Sequence, residues 1–250
     1  MSLSKTNEQA FNNKQKENMI KRLHYLVLLT VLAATGFGLT ACSDDYDDWV
    51  PVDVIDRQAI VTIKPNEMGG FIMQLNDNTT LTPVNMGQSP YGDKEVRAMI
   101  FFSMPSSVVP MTQAMNYPVT VLQMDSILTK QTVPDMGSGN VTAYGNDPVE
   151  IVKSWETCVE DGYLTLRFRT LWGSGAKHRV NLVVSRSNEN PYKVTFFHDA
   201  NGEEGKEWGD ALVAFRLKDL PDTNGEYVDL TLEWNSFSGR KSTTFKYKTR

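Results

Sequence analysis

Leu164-Thr165-Leu166-Arg167-Phe168-Arg169 and, further along, Val228-Asp229-Leu230-Thr231-Leu232-Glu233-Trp234 alternate between apolar and polar side chains. A period of two describes an extended strand with one face packed and the other wet. The same alternation recurs nearby. Val180, Leu182 and Val184 alternate with Arg179, Asn181 and Val183; Val194 and Phe196 follow, then Val213, Phe215 and Leu217. Phe245 and Tyr247 close the set against Lys246 and Lys248. Asp161-Gly162, Asn201-Gly202, Asn224-Gly225 and Ser238-Gly239 supply the turns, since a tight hairpin needs residues that tolerate positive φ. About seven antiparallel strands in roughly 100 residues predict a β-sandwich, placed at residues 146–250.

Upstream lie shorter runs: Ala59–Lys64, Phe71–Leu75, Thr79–Val84, Glu95–Met104, and Tyr117–Leu122 extended to Ile127. Asn76-Asp77-Asn78 reads as a hairpin turn between two of them. Five strands in about 75 residues suit a small closed barrel, the oligonucleotide/oligosaccharide-binding (OB) type among others, placed at residues 57–145. The Glu95–Met104 run has Val96, Ile100 and Phe102 on one parity and Met99 and Phe101 on the other. Apolar residues on both faces predict a strand covered on both sides. Between the groups, Val133-Pro134-Asp135-Met136-Gly137-Ser138-Gly139-Asn140, continuing to Asn146-Asp147-Pro148, reads as a linker. The fold class is therefore all-β, an OB-like five-stranded barrel followed by an antiparallel sandwich.

Composition bounds the function. With 40% apolar and 22% charged residues over 250 positions, the chain can build a sizeable core. Two cysteines exclude a disulfide framework, and three histidines leave little material for a multi-histidine metal site. A net charge of −5 argues against a phosphate-coating, nucleic-acid-binding surface. No Gly-x-Ser-x-Gly elbow, phosphate loop or dinucleotide fingerprint occurs, and Gly173-Ser174-Gly175 has the wrong spacing for the first.

The first 41 residues carry an address. Tyr25 to Leu39 is uncharged and follows Lys21 and Arg22. At roughly 22 Å of helix it is short of the ~30 Å hydrocarbon core, which suits a secretory signal better than a membrane span. Leu39-Thr40-Ala41-Cys42 resembles a bacterial lipobox, which implies lipidation at Cys42, an acyl-chain anchor (palmitate among the chains) and removal of residues 1–41. Met1 to Asn18 is polar and useless to a signal, so Met19 is the expected true start. Residues 42–56 form the expected tether. Its Ser43-Asp44-Asp45-Tyr46-Asp47-Asp48 is either a solvated spacer or resembles the acidic export signal of surface lipoproteins of Bacteroidota. Removing the five Lys/Arg and two Asp/Glu of residues 1–41 takes the net charge from −5 to −8. With Cys42 lipidated, Cys158 is expected to be a small buried apolar residue.

The lipobox, the five-strand group and several words of the second half together resemble the NigD-like lipoprotein family. Those words are Asp161-Gly162-Tyr163-Leu164, Lys177-His178-Arg179-Val180-Asn181-Leu182, Phe197-His198-Asp199-Ala200, and Trp234 with Phe245-Lys246-Tyr247. The resemblance implies an N-terminal OB-type domain and a C-terminal β-sandwich. It carries over no catalytic residues, and the family's bacteriocin-operon name implies only an accessory or immunity role.

Among candidate site residues, His178 and His198 stand out. Pairing Val180 with Phe196 and Leu182 with Val194 sets the two imidazoles opposite one another on one face, close enough to share a metal. Glu203, Glu204 or Glu207 could add a third ligand, and Asp199 has the wrong parity. Both histidines also continue the core-facing parity, so the competing reading is a pair of rings closing the rim of the sandwich. Asp199-Ala200-Asn201-Gly202-Glu203-Glu204-Gly205 faintly resembles a calcium loop, without EF-hand spacing. Tyr46, Trp49, Tyr91, Tyr117, Trp155, Trp172 and Trp208 fall outside mid-core runs and either plug strand ends or meet a ligand. The expectation is a non-catalytic, lipid-anchored binding or assembly module on the outer membrane of a gram-negative bacterium, without cofactor or nucleic acid. Its expected partner is a glycan or another envelope protein. The alternatives are a metal-dependent hydrolase using His178 and His198, or a bacteriocin-associated factor.

Overall fold

The computed structural model describes residues 54–105, 115–186 and 189–250. The signal, Met19, Cys42, most of the tether, Tyr46 and Trp49 lie outside these residues. Among the described residues, no helix is long and apolar enough to cross a membrane.

Five strands close into a barrel: β1 (Val54–Pro65), β2 (Phe71–Asn76), β3 (Thr79–Pro83), β4 (Val96–Pro105) and β5 (Asn116–Ser126), in the order β1-β2-β3-β5-β4. The β3–β5 pair is parallel and the others are antiparallel. Val61, Ile63, Met73, Leu81, Ala98 and Ile100 fill the interior without exposure. Closure leaves no strand edge unpaired, which removes the aggregation hazard of an open sheet.

The sandwich has two sheets. One runs β10 (Arg179–Val184), β11 (Lys193–Asp199), β13 (Val228–Ser236) and β14 (Gly239–Tyr247). The other runs β6 (Leu128–Gln131), β12 (Glu207–Arg216), β9 (Tyr163–Trp172) and β7 (Glu150–Ile151), with β8 (Cys158–Glu160) also pairing β9. Leu164, Leu166, Phe168, Leu182, Phe196, Val213, Phe215, Leu230, Leu232 and Trp234 meet between the sheets, as their alternation requires. Positive φ at Asp161, Asn201 and Asn224, each followed by a positive-φ glycine, accounts for three of the expected turns.

Two expectations need correction. The domain boundary at 145/146 lies too late, because β6 already belongs to the sandwich, paired in parallel with β12. Ile127 is buried with Ile60, Tyr163 and Ala214, so the chain passes from barrel to sandwich with no linker. Residues 133–148 are a strap across the β10–β11 sheet instead. Val133 donates to the Leu182 carbonyl at 2.9 Å, and a 3-10 turn leads into helix α1 (Asn140–Tyr144), whose Tyr144 ring lies 6.0 Å from Phe197. The glycines and prolines there end that helix rather than free the segment. At Gly145, φ is +82° and an added Cβ would meet Asp199 Cβ at 2.5 Å.

The barrel abuts one half of the outer face of the β6-β12-β9-β7 sheet. Fully buried Arg97 of β4 donates to Thr62 Oγ1 at 3.1 Å and Thr165 Oγ1 at 3.5 Å, and its guanidinium lies 5.5 Å from the Tyr163 ring. This seam explains the two-sided apolarity of β4: Ala98, Ile100 and Phe102 face the barrel interior and Met99 faces the sandwich. Cys158, expected in the core, is half-buried at the seam, 3.9 Å from Arg97 Nη2, and burial pushes its thiol pKa up. Ion pairs ring the seam: Lys64–Asp161 at 2.8 Å, Lys248–Asp77 at 3.2 Å, and Glu95 with Arg216 and Arg250 at 3.1 and 2.7 Å. The hydrogen bond from Arg250 leads in holding the Glu95 carboxyl down to about 2, with Tyr163 and Arg216 adding to it against burial.

Candidate functional site

His178 and His198 do meet, by a different register from the one expected. Val180 pairs with His198 and Leu182 with Phe196, a slip of two residues that keeps every side chain on its face. The imidazoles therefore meet diagonally, His178 Nδ1 to His198 Nε2 at 2.9 Å. His198 Nδ1 lies 3.3 Å from the Asp147 carbonyl, which can only accept, so Nδ1 carries the proton and Nε2 receives one from His178. Nε2 of His178 faces Glu203 Oε2 at 3.5 Å, an ion-pair distance longer than a good hydrogen bond. His178 thus lies between Glu203 and a neutral His198. Burial, followed by the neighbouring His178 charge, lowers the His198 pKa.

Packing encloses this chain of groups. Trp172 stacks on His178 with ring centres 3.8 Å apart and planes 13° from parallel, and its Nε1 donates to the Gly209 carbonyl at 2.9 Å. Phe168 lies against His198 at 6.1 Å. Glu203 Oε1 also accepts from the amides of Ser174 and Gly205, at 2.7 and 2.5 Å. Hydrogen bonding, led by the Ser174 side chain, holds its carboxyl down to about 2. A Cβ at Gly205 would lie 2.1 Å from the Trp172 carbonyl oxygen, so only glycine fits. The cluster ties β9, β10, β11 and the Asp147 strap together at the rim of the sandwich. Its ring nitrogens already face one another, a carbonyl and a carboxylate, which leaves little to offer a metal or a substrate.

Of the proposed third ligands, only Glu203 reaches the histidines; Glu204 and Glu207 are exposed. Among the described residues, no group of three or more His, Cys, Asp or Glu is arranged to hold a metal ion. The loop that resembles a calcium site uses its oxygens internally, with Asp199 Oδ1 accepting from the Asn201 amide at 2.8 Å. The aromatic candidates divide. Tyr117 is buried in the barrel, and Tyr91 packs half-buried against it with its hydroxyl donating to the Met124 carbonyl at 3.3 Å. Trp172 is the histidine cover already described. Trp155 and Trp208 are exposed.

Trp208 opens a second site that single residues did not reveal. On β12, Trp208, Asp210, Leu212 and Ala214 share one face by the period of two. Leu212 and Ala214 lie under the barrel, whereas Trp208 emerges 57% exposed, in edge contact with Phe237 at 4.9 Å, itself 42% exposed. Both rings leave apolar surface in water. On β9, Tyr163 and Thr165 are likewise covered, and Arg167, Arg169 and Leu171 continue onto the open half. Asp210 sits opposite Arg169, accepting from its Nε at 2.5 Å and from Arg167 Nε at 2.8 Å. Arg167 also pairs with Glu156 at 3.1 Å. Glu150 of β7 stands opposite Arg169 and accepts from Lys241 at 2.8 Å and from Ser236, the neighbour of Phe237, at 2.8 Å. The result is an aromatic pair at one end of a planar field of crossed ion pairs. Trp208 was legible as a loose aromatic; Phe237 carried no signal beyond its place in a hairpin turn.

A five-stranded barrel joined to a two-sheet sandwich defines a two-domain all-β class, and the comparisons name it. The NigD-like N-terminal OB domain matches residues 60–127 and the NigD-like C-terminal β-sandwich domain matches residues 131–247, so the chain belongs to the NigD-like family. A crystal structure of a toxin-related protein from Parabacteroides distasonis is similar at 30% identity and a TM-score of 0.65, covering 78% of this chain and 94% of that one. A protein of unknown function from Bacteroides vulgatus shares the fold at 20% identity and a TM-score of 0.61, over 77% and 91% of the two chains. So does a NigD-like immunity protein from Bacteroides caccae, at 19% identity and a TM-score of 0.56, over 78% and 98%. No curated protein matches the chain.

Proposed function

We propose that this protein is a non-catalytic, lipid-anchored binding module of the outer membrane, facing the cell surface and contacting a glycan or another envelope protein. The observation that carries the reading is the exposed Trp208–Phe237 pair beside the Arg167–Asp210–Arg169 network. Water-exposed aromatics on a rigid sheet are costly to leave uncovered, and they are the residues that dominate contacts when a partner arrives. A hydrolase using His178 and His198 is disfavoured because their nitrogens hold the rim together. The test has two arms. Cys42→Ala should move the protein from the membrane to the soluble fraction, and unchanged partitioning would refute the anchor. Cross-linking on intact cells should join the wild-type chain to an envelope component that Trp208→Ala fails to retain; equal retention would refute the contact surface. A second reading, a bacteriocin immunity or accessory factor, is favoured by the family and by the described role of the Bacteroides caccae protein. Deleting the gene should then sensitise cells to a co-resident bacteriocin.

A further inference from the structure

We propose that the open half of the β12-β9-β7 face is a binding platform for a neutral oligosaccharide, an inference that rests on the binding-module reading and names its ligand. Charge is the first argument. Arg167, Arg169 and Lys241 are matched by Asp210, Glu150 and Glu156, three cations against three anions, and each is paired at 2.5–3.1 Å. Such a field exerts no net pull on an acidic peptide, a phosphate or an anionic lipid surface. It instead presents donors and acceptors side by side, and a sugar hydroxyl is both donor and acceptor. Hydrogen bonds to ionised groups are about twice as strong as neutral ones, so each hydroxyl gains more here than from amides.

Apolar area is the second argument. The uncovered aromatic surface is a pair of rings, Trp208 and Phe237, set in charged surroundings. A protein interface of ordinary size needs about 800 Å² per partner with an apolar centre shielded by a rim. Two rings are too little for that and suit the C–H face of one pyranose, whose partial positive charge meets the negative face of an indole. The spacing extends the site beyond a single ring. Trp208 faces Leu171 across the strands, and Arg167 lies four residues from Leu171 along β9, roughly 13 Å at the rise of a strand. Polar groups therefore continue along β9 from the aromatic pair, as a short chain of sugars needs. Rigidity is the third argument: most of these side chains stand on strands and are held by one another, so little freedom remains to be lost on binding.

The test is binding of the full chain to immobilised neutral gluco-, manno-, galacto- and N-acetylglucosamine oligosaccharides, followed by titration with indole fluorescence. The expected result is a dissociation constant on the order of 10 μM to 1 mM for one class, with an indole signal change. Trp208→Ala should weaken binding at least tenfold and Trp208→Tyr less, while Asp210→Asn with unchanged melting should also weaken it. Acidic oligosaccharides of the same length should bind no better. Failure of every neutral sugar at ~10 mM, or equal binding by Trp208→Ala, overturns the proposal. If no sugar binds while Trp208→Ala still loses a cross-linked envelope protein, the glycan inference falls and the binding-module reading stands. If both signals are absent, both fall.

Discussion

Glu160 is a carboxyl placed where its charge is unwelcome, and replacing it tests the barrel–sandwich seam. It ends β8 at the tight Asp161-Gly162 turn, and burial pushes its pKa from 4.5 up to about 7. The Asp77 charge adds to the rise, Arg97 opposes it, and Asp161 adds to it again. A shift of about 2.5 units is at most ~3.4 kcal/mol, and because the side chain is only part-buried, screening reduces this to about 1–2 kcal/mol. A raised carboxyl pKa favours the folded state fully below the unfolded value near 4.5, and that contribution is lost as pH rises through about 7. Glu160→Gln should therefore match wild type in urea unfolding near pH 4 and exceed it by about 1–2 kcal/mol at pH 8.5, the gap opening between about pH 4.5 and 7. Titrating groups that do not interact with Glu160 contribute equally to both proteins and cancel from the difference. Asp77→Asn should recover part of the same pH slope, since it removes the repelling charge. A constant difference between Glu160→Gln and wild type across pH, or a Gln variant weaker at pH 8.5, would refute the reasoning.

Three further outcomes follow from the packing. Tyr163→Phe removes a hydrogen bond to the Glu95 carboxylate at 2.5 Å and should cost about 1.5–3 kcal/mol near neutral pH. Because the Glu95 pKa is depressed to about 2, that loss should shrink as pH falls from about 4.5 toward 2; chemical unfolding across this range checks it. Gly205→Ala would drive a Cβ to 2.1 Å from the Trp172 carbonyl and should destabilise by more than about 3 kcal/mol, seen as a lowered Tm; an unchanged Tm would contradict the close approach. His198→Ala leaves a cavity beside Phe168 and an unpartnered Nδ1–H on His178, so a loss of about 2–4 kcal/mol is expected by urea titration, and a loss under ~1 would contradict the rim-closing role.

Alternation carried the fold because each packed strand has its own period of two: Leu164, Leu166 and Phe168 could be assigned to an interior without knowing which strand lay beside them. Short strands escaped for the same reason. Glu150–Ile151 has no period to read, and Leu128–Gln131 exists because β12 offers it a parallel partner. The 133–148 stretch was misread because glycine and proline mark the ends of a one-turn helix as readily as they mark a free linker. His178 and His198 could be placed on one face but not in register, since a slip of two residues preserves every parity and only the connecting loop decides it. Arg97 was invisible in a different way. Its burial depends on a second domain covering the outer face of β4, and nothing local to the run reports that.

The histidine cluster and the aromatic platform are the two sides of one strand segment. Gly209 lies between Trp208 and Asp210 on β12, and an added Cβ there would meet Trp172 Cδ1 at 2.6 Å. The missing side chain lets the indole of Trp172 close against β12 and donate to the Gly209 carbonyl, while the same ring stacks on His178. The chain of Glu203, His178 and His198 thereby fixes the inner surface of the segment whose outer surface presents Trp208 and Asp210. For the proposed binding, the histidines would then act through position rather than through chemistry. Loosening them should blur the Trp208 platform before it unfolds the sandwich, because Trp172 packs that end of β12 from its inner side while the far end is clamped under the barrel by Leu212 and Ala214.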